Sequence, residues 1–580
     1  MKLELQHGSR TKFLAVIILG LMVIFVVRLF YLQIIKHDDY VAMALEEQVK
    51  RLTIPAKRGM IYAMDGSTPT KLVMNTTVYT LFVDPQVIKE KDRPKVIETV
   101  RRVAGGNVQP DIDGLINRTK TRYQILATKL TRTQAELIKK EQLTGVGFQE
   151  VSQRTYPEGG LAAQTLGFVN AEGKGQYGIE SKFNDRLTGK DGLLQSVTDV
   201  SNVPLTIGKN NINQPAVNGE DVVLSIDRNV QSHAEKALAD GLQRTKAEKG
   251  SVIVMDPQTG KIMAMANLPT YNPAEFNKVQ DGSAFNNGTV STPYEAGSVI
   301  KTLTVATGID KGVMVPDSTY VNTDTITVGG KDIKNATKGQ TGTITMQRAL
   351  NYSLNTGMVT IAQRLGDGKN ITEPARETMY GYFHDKFGLG VQTGVELANE
   401  SAGNVVLPND PSGAEVRYSN MSFGQGMDVT MVQVSAAFCS IINGGTYYQP
   451  TVVNGTMDGD SFKEKQPTVA RDAVISKTTS ETVRQMVHTA RSTFYAGADK
   501  PGFEVGGKTG TSQTIVNGDY SDDQTIGTYL GYGGDDIPRY VIMVQISGKN
   551  MNLEGGKHAM PIFTDMSNWM LDYLKLQPKG

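Results

Sequence analysis

Apolar side chains run without a charge over residues 13–27 and resume over residues 29–35, with only Arg28 between the two runs. Residues 13–35 make about 34 Å of helix at 1.5 Å per residue, enough for a hydrocarbon layer of roughly 30 Å. The pattern predicts a membrane-spanning helix. Arg28 falls near its outer end, where a guanidinium can reach up to the headgroups. A cleaved signal peptide needs a shorter core and a small-residue cleavage site, and Tyr31-Leu32-Gln33-Ile34-Ile35 offers none, so an uncleaved anchor is expected. Lys2, Arg10 and Lys12 precede the apolar run, whereas Lys36 is followed by Asp38 and Asp39. That charge bias places residues 1–12 in the cytoplasm and the chain beyond the anchor outside it.

From about residue 40 to residue 215 the pattern changes to short β-rich words mixed with amphipathic helical stretches. One covers residues 94–103, where a proline suits a first helical position, and another covers residues 133–141. Residues 208–219, polar and containing glycine and asparagine, read as a linker. A second region opens near Asp221 with Val222-Val223-Leu224-Ser225-Ile226-Asp227 and a helix over residues 231–239. Residues 251–256 and 261–266 then predict a strand pair around the turn Pro257-Gln258-Thr259-Gly260. Two further strands are expected at 527–533 and 540–547, and a closing helix at 562–576. The expected organisation is therefore a cytoplasmic end (1–12), an anchor (13–35), a mixed α/β domain (40–215) and a second domain (220–580). The class is α+β, with an antiparallel sheet flanked by helices from both ends of the second domain.

Composition narrows the functional classes. With 39% hydrophobic residues and a net charge of +1, the chain can bury cores and has no polyelectrolyte character, so nucleic acid is not an expected partner. The single cysteine, Cys439, lies in the apolar stretch 434–442 and is expected in the core; one cysteine allows neither an internal disulfide nor a thiolate metal cluster. The six histidines form no HExxH pair. No metal and no cofactor is expected.

Three short words carry the candidate chemistry: Ser298-Val299-Ile300-Lys301, Ser353-Leu354-Asn355 and Lys508-Thr509-Gly510-Thr511. A serine hydroxyl is a poor nucleophile near neutral pH and needs a base within reach and donors for the oxyanion it creates. If Ser298 opens a helix, Lys301 lies on the same face three residues on. A lysine buried there and crowded by a second cation, Lys508, loses affinity for its proton and can act as base. Ser353 and Asn355 are spaced to present a hydroxyl and a carboxamide from one turn. Each word recurs by chance in a long chain; their order and separation give the set its weight. The trio is the known signature of penicillin-binding proteins and class A β-lactamases.

Over nearly its whole length the chain resembles a class B penicillin-binding protein, a membrane-anchored peptidoglycan D,D-transpeptidase. Tyr294-Glu295-Ala296-Gly297-Ser298 is similar to the family's nucleophile stretch, with Ala296 where proline is usual. Gly250-Ser251-Val252-Ile253-Val254-Met255-Asp256-Pro257, with Thr259-Gly260 and Ala264-Met265-Ala266, resembles the hairpin opening the transpeptidase sheet. Arg58-Gly59, Arg154-Thr155-Tyr156-Pro157 and Gly178-Ile179-Glu180 resemble the motifs of the pedestal, or dimerisation-type, domain, although only Met64-Asp65-Gly66 stands where Asp-Arg-Asn-Gly often follows. Leu354 occupies a position where Ser or Asp is frequent.

The resemblance implies a serine β-lactamase-like fold for the second domain and a role for each residue of the three words. Ser298 attacks the penultimate D-alanine carbonyl of a stem peptide, Lys301 accepts its proton, and Ser353 relays a proton to the leaving amine. Asn355 orients the substrate amide and holds Lys301. Lys508, Thr509 and Thr511 in the Lys508-Thr509-Gly510-Thr511 strand bind the terminal carboxylate, and the backbone N–H groups of Ser298 and Thr511 form the oxyanion hole. β-Lactams acylate the same serine. Implied partners are stem peptides ending in D-Ala-D-Ala, the membrane, a polytopic glycan polymerase and other division or elongation proteins. Phe387-Gly388-Leu389-Gly390, Thr393-Gly394-Val395-Glu396-Leu397 and Ser422-Phe423-Gly424-Gln425-Gly426 are closer in wording to division-type members than to elongation-type ones.

Other readings compete. On the same fold, a penicillin-recognising sensor or a β-lactamase differs in deacylation, and a non-catalytic scaffold would not need all the site residues intact. From another class, Gly502, Gly507, Lys508 and Thr509 satisfy the P-loop pattern of a nucleotide-binding ATPase. That loop requires a strand entering it and a helix leaving it, and residues 496–501 and 510–514 favour neither. Residues 517–524, polar and acidic, are either a flap over the cleft or an ordinary hairpin.

Overall fold

A computed structural model describes residues 7–40, 49–197, 212–411, 414–516 and 519–578. Lys2 and residues 208–211 and 517–518 lie outside the described residues.

The chain divides into two units, one of residues 1–58 and 188–219 and the other of residues 59–187 and 220–580. In the first unit the apolar run forms α1 (His7–Phe30), continued by a π-helical turn, Tyr31–Ile35, with the Arg28 guanidinium 5.5 Å from the centre of the Tyr31 ring. Residues 10–35 form a helix long and apolar enough to cross a membrane, with none of that surface buried in protein. The same unit contains a three-stranded antiparallel sheet in which Gly192–Val197 pairs with Val49–Ile54 and Ile212–Gln214. The described part of the expected 208–219 linker thus includes a strand, because Ile212-Asn213-Gln214 finds an edge to pair with.

Among the described residues the second unit holds two large sheets beside four two-stranded ones. β1 (Ile61–Asp65), β2 (Thr68–Val83), β3 (Gln124–Leu130) and β4 (Val146–Thr155) build the first, β2 pairing with β4 along its length and with β3 near its end. Against its far part pack Arg93–Ala104 and Arg132–Lys140, the two expected helices, the latter closed by a capping box of Thr131 and Gln134. The sheet continues beyond β1 with β5 (Asp221–Asp227), which runs parallel to β1, and then Val453–Asp458 and Ser461–Glu464. The largest hydrophobic core reaches from this part of the sheet into the rest of the unit, from Ile61, Leu72 and Ile179 through Val222 and Met265 to Val299 and Leu303.

Three of the sequence words meet at one joint in this unit. The Arg154 guanidinium, almost fully buried, donates to Glu180 Oε1 (2.7 Å), to the Gly59 carbonyl (2.7 Å) and to Asn75 Oδ1 (2.9 Å), and Glu180 is fully buried. Gly59 admits no side chain, since a Cβ there would stand 2.0 Å from the Glu220 carbonyl oxygen.

The second sheet is antiparallel throughout. β6 (Lys249–Met255), β7 (Ile262–Leu268), β8 (Glu504–Val516), β9 (Asp519–Gly534) and β10 (Pro538–Ser547) stand in the order β7-β6-β10-β9-β8, leaving β8 at the edge. α2 (Arg228–Thr245) and the closing helix, Met560–Tyr573, pack on one face through Ala234, Leu238, Phe563 and Met566. α2 begins earlier than the periodicity predicted because the Asp227 carboxylate accepts from the Asn229 and Val230 amides. The closing helix ends earlier, with Lys575 just past it in the left-handed region at φ 52°. The fold is the expected α+β class. Cys439 is buried in the helix Met431–Ile442.

Candidate active site

Two of the three words stand where elements begin or end and the third inside an edge strand, which is how residues far apart in sequence face one another. Ser298 lies in a 3-10 turn, Gly297–Ile300, that leads directly into α3 (Lys301–Asp310). In 3-10 geometry residues i and i+3 eclipse, so the turn stacks Ser298 over Lys301 more closely than an α-helix would. Ser353 follows the short helix Met346–Asn351 in the left-handed region, φ 56°, a conformation costing roughly 1–2 kcal/mol for a residue with a Cβ. That reversal turns both its carbonyl and its hydroxyl toward the lysines and lets α4 (Asn355–Arg364) start two residues later. Leu354 between them points the other way and is fully buried in the core. Lys508 stands within edge strand β8, opposite Leu530 of β9.

The two lysines converge on Ser353. Lys301 Nζ donates to the Ser353 carbonyl (2.6 Å), to Asn355 Oδ1 (2.7 Å) and to Ser353 Oγ (3.2 Å). Lys508 Nζ donates to Ser353 Oγ (2.8 Å), to the Thr509 carbonyl (2.9 Å) and to Thr509 Oγ1 (3.3 Å). Lys301 is 0% exposed and Lys508 3%, and no carboxylate is among the bonded partners of either. Burial, helped by the positive charge of Lys508, pushes the Lys301 amine well below its ordinary value. Burial alone brings Lys508 down to about 7. An amine near these conditions exists partly as the neutral base.

No hydrogen bond joins Lys301 Nζ to Ser298 Oγ among the described residues. The amine leans instead to the stronger acceptors, a carbonyl and an amide oxygen. With two N–H groups so held, a neutral amine keeps its lone pair for a hydroxyl. Serine–base contacts tighten when substrate enters. Ser298, Ser353, Asn355 and Thr509 are half-buried and Thr511 exposed, so the site opens to solvent. Thr511 Oγ1 accepts from the Gly555 amide at 3.1 Å, which leaves its own proton to donate, and Gly510 packs against Ala296 on the nucleophile turn.

Two features were not assigned to the site from sequence. The Ser422-Phe423-Gly424-Gln425-Gly426 word locks the nucleophile turn: Gly297 N donates to the Gly424 carbonyl (3.0 Å), and a Cβ on Gly424, at φ 94°, would stand 1.9 Å from the Gly297 oxygen. Its two glycines were the available signal. Glu295 is the other; its Oε1 accepts from the Gly426 amide (2.7 Å) and from the Tyr520 hydroxyl (2.7 Å), and burial raises its carboxyl. Tyr520 belongs to the described part of residues 517–524, so that segment is fastened beside the nucleophile word.

The P-loop reading is overturned by this geometry. Lys508 and Thr509 sit inside a thirteen-residue strand with β9 alongside, and no helix leaves the motif to hold phosphate on its N-terminal amides.

Residues 250–568 match the family model of the penicillin binding protein transpeptidase domain, and residues 53–224 match that of the penicillin-binding protein dimerisation domain. Stage V sporulation protein D of Bacillus subtilis is 28% identical over 98% of this chain and 87% of its own length. The peptidoglycan D,D-transpeptidase FtsI of Escherichia coli is 26% identical over 95% of this chain and 89% of its own. Among solved structures, penicillin binding protein 3 of Mycobacterium tuberculosis in complex with aztreonam superimposes with a TM-score of 0.68 at 26% identity, covering 91% of this chain and 98% of that one.

Proposed function

The chain belongs to the penicillin-binding protein transpeptidase family, and from that premise we propose that Ser298 is the acylated serine of a peptidoglycan D,D-transpeptidase. The enzyme cross-links stem peptides in cell-wall synthesis and is acylated by β-lactams. The observation that carries the assignment of residues is the pair of buried lysines, Lys301 and Lys508, meeting on one serine with no carboxylate bonded to either among the described residues.

Ser298 Oγ attacks the carbonyl of the penultimate D-alanine and passes its proton to neutral Lys301. The negative oxygen of the tetrahedral intermediate is held by the backbone N–H groups of Ser298 and Thr511. Lys508, Thr509 and Thr511 hold the terminal carboxylate. As the C–N bond breaks, a proton moves through Ser353 Oγ, which stands 3.2 Å from Lys301 Nζ and 2.8 Å from Lys508 Nζ, to the departing D-alanine amine. The resulting ester passes to an amine of a neighbouring stem peptide, whose proton returns by the same route and frees Ser298. A β-lactam follows the first half of this path, but its opened ring stays attached as the leaving group, so the ester persists.

The charge bias around α1 supports a single-pass protein with a cytoplasmic N-terminus and the catalytic unit outside. A polytopic glycan polymerase and other division proteins are its proposed partners, the division assignment resting on the wording of residues 387–390, 393–397 and 422–426.

The test is intact mass with peptide mapping of the full-length chain in detergent after exposure to a penicillin, beside Ser298→Ala. The expected result is one stable adduct, on Ser298, absent from the folded variant. An adduct that persists in Ser298→Ala sinks the assignment, and rapid loss of the adduct from the unaltered chain points to a β-lactamase.

A further inference from the structure

The helix that carries Asn355 has no cap of its own. Its N-cap position is Leu354, whose side chain has no acceptor for the unpaired amides of the first turn. The acceptor comes from another part of the chain. Asn335 Oδ1 takes the Thr356 amide at 3.1 Å, and its Nδ2 donates to Thr356 Oγ1 (3.2 Å), Asn322 Oδ1 (3.1 Å) and Asp324 Oδ1 (3.3 Å). Thr356 Oγ1 donates in turn to Asn322 Oδ1 (2.8 Å), and the Tyr320 hydroxyl lies 3.1 Å from it. Asn335, Asn322 and Thr356 are each no more than 2% exposed. A buried network of this kind, with every member bonded, specifies one geometry.

Asn335 follows the hairpin of strands Thr325–Val328 and Lys331–Lys334, and its backbone amide donates to the Asp324 carbonyl at 3.0 Å, closing the hairpin's base. The residue before it supplies the second half of the device, since the Lys334 carbonyl accepts from Asn355 Nδ2 at 2.8 Å. A carbonyl can only accept, so it dictates which end of the Asn355 carboxamide faces it. The Oδ1 end is left for Lys301.

We propose that Asn335 is a positioning residue for acylation: it caps α4 and fixes the Lys334 carbonyl beside it, and so aims Asn355 Oδ1 at the Lys301 amine. This rests on the reading of Lys301 as the base for Ser298. With Oδ1 and the Ser353 carbonyl holding two N–H groups, the lone pair is directed. If Asn355 turns or water enters, the lone pair is lost and the amine regains affinity for its proton. The charged group facing Lys301 is Lys508, and those around Asn335 are Asp324 and Lys338.

The experiment measures the second-order rate of penicillin acylation of the full-length chain from pH 6 to 9 for the unaltered protein, Asn335→Leu and Asn335→Asp, with melting curves for each. Asn335→Leu, close in size but without polar atoms, is expected to fold and to lose about 100-fold in rate, the scale of a misplaced reacting group. Its acid limb should move to higher pH. Asn335→Asp still accepts the Thr356 amide and should recover part of the rate, with the limb displaced upward by the added negative charge. An unchanged rate and limb in Asn335→Leu overturns the inference, as does a loss by the same factor at every pH in both variants, which is what a merely structural role gives. Should Asn335→Leu not fold, Asn335→Asp alone decides by its limb. An unaltered chain that takes its adduct elsewhere than Ser298 overturns the underlying reading and the inference with it, whereas normal acylation at Ser298 with insensitive Asn335 variants overturns the inference alone.

Discussion

Two of the places where the second unit buries charge treat it in opposite ways. At the Arg154 joint, a guanidinium and a carboxylate meet at 2.7 Å, and both are almost sealed from water. At the proposed acylation site, Lys301 and Lys508 are sealed as thoroughly, yet they share a serine and among the described residues have no anion bonded to them. Opposite charges kept together satisfy one another, and the Arg154 guanidinium ties together Gly59, Asn75 and Glu180. Burial loosens the protons of the two lysines, helped at Lys301 by the positive charge of Lys508. The first arrangement fastens segments, and the second gives neutral-amine character to side chains that are ordinarily protonated ammonium groups at neutral pH.

Replacing the members of each site should separate the two effects. Lys301→Met is expected to lower acylation by about 10²–10⁴-fold, the usual contribution of a positioned base, while costing the fold far less than a change at the joint. Quenched-flow acylation with a labelled penicillin, beside denaturant melts, reads both quantities; a rate within tenfold of normal would remove Lys301 from the base role. Glu180→Ala leaves the Arg154 charge buried without its partner and should cost about 3–5 kcal/mol of stability, read from urea midpoints. Molecules still folded should acylate with an unaltered pH profile. A shifted profile would mean that the joint and the site are not independent.

A smaller effect concerns pH. In the folded chain Lys508 titrates at about 7, whereas an unfolded lysine titrates near 10.4. Between those values the unfolded chain binds more protons, so stability rises with pH across that window; below about 7 the cost of the buried charge is fully present. Lys508→Met should therefore gain less stability than the unaltered chain between pH 7 and pH 10. Parallel stability curves would contradict the shift.

Much of this molecule is legible in its residues because the informative patterns are local. The apolar run of α1, the strand pair around Pro257-Gln258-Thr259-Gly260 and the body of α2, though not its start at Asp227, are each read from neighbours in sequence. The three candidate words were readable as words, and α+β followed from the order of elements. What sequence reasoning could not supply were contacts between distant segments. Nothing near Leu354 says that Asn335 caps the next helix, and nothing near Gly297 says that Gly424 will press to within a Cβ's width of it. The preference of Lys301 for Ser353 and Asn355 over Ser298 likewise depends on the left-handed turn at Ser353, which no composition rule predicts for a residue with a side chain.

The parallel pairing of β1 with β5 has a consequence for how this protein can be taken apart. The two family models leave residues 225–249 between them, as if a cut there would release two modules. Yet one ladder of hydrogen bonds runs from β3 through β2, β1 and β5 to Val453–Asp458, and one apolar interior joins β1, β5 and Val453 to the elements around Ser298. A catalytic fragment severed at that gap would leave Val453–Asp458 with a raw edge and bare the side chains that Ile61 and Val222 had covered. Such a piece is adhesive rather than independent, so the unit of inheritance in this chain is smaller than its unit of folding.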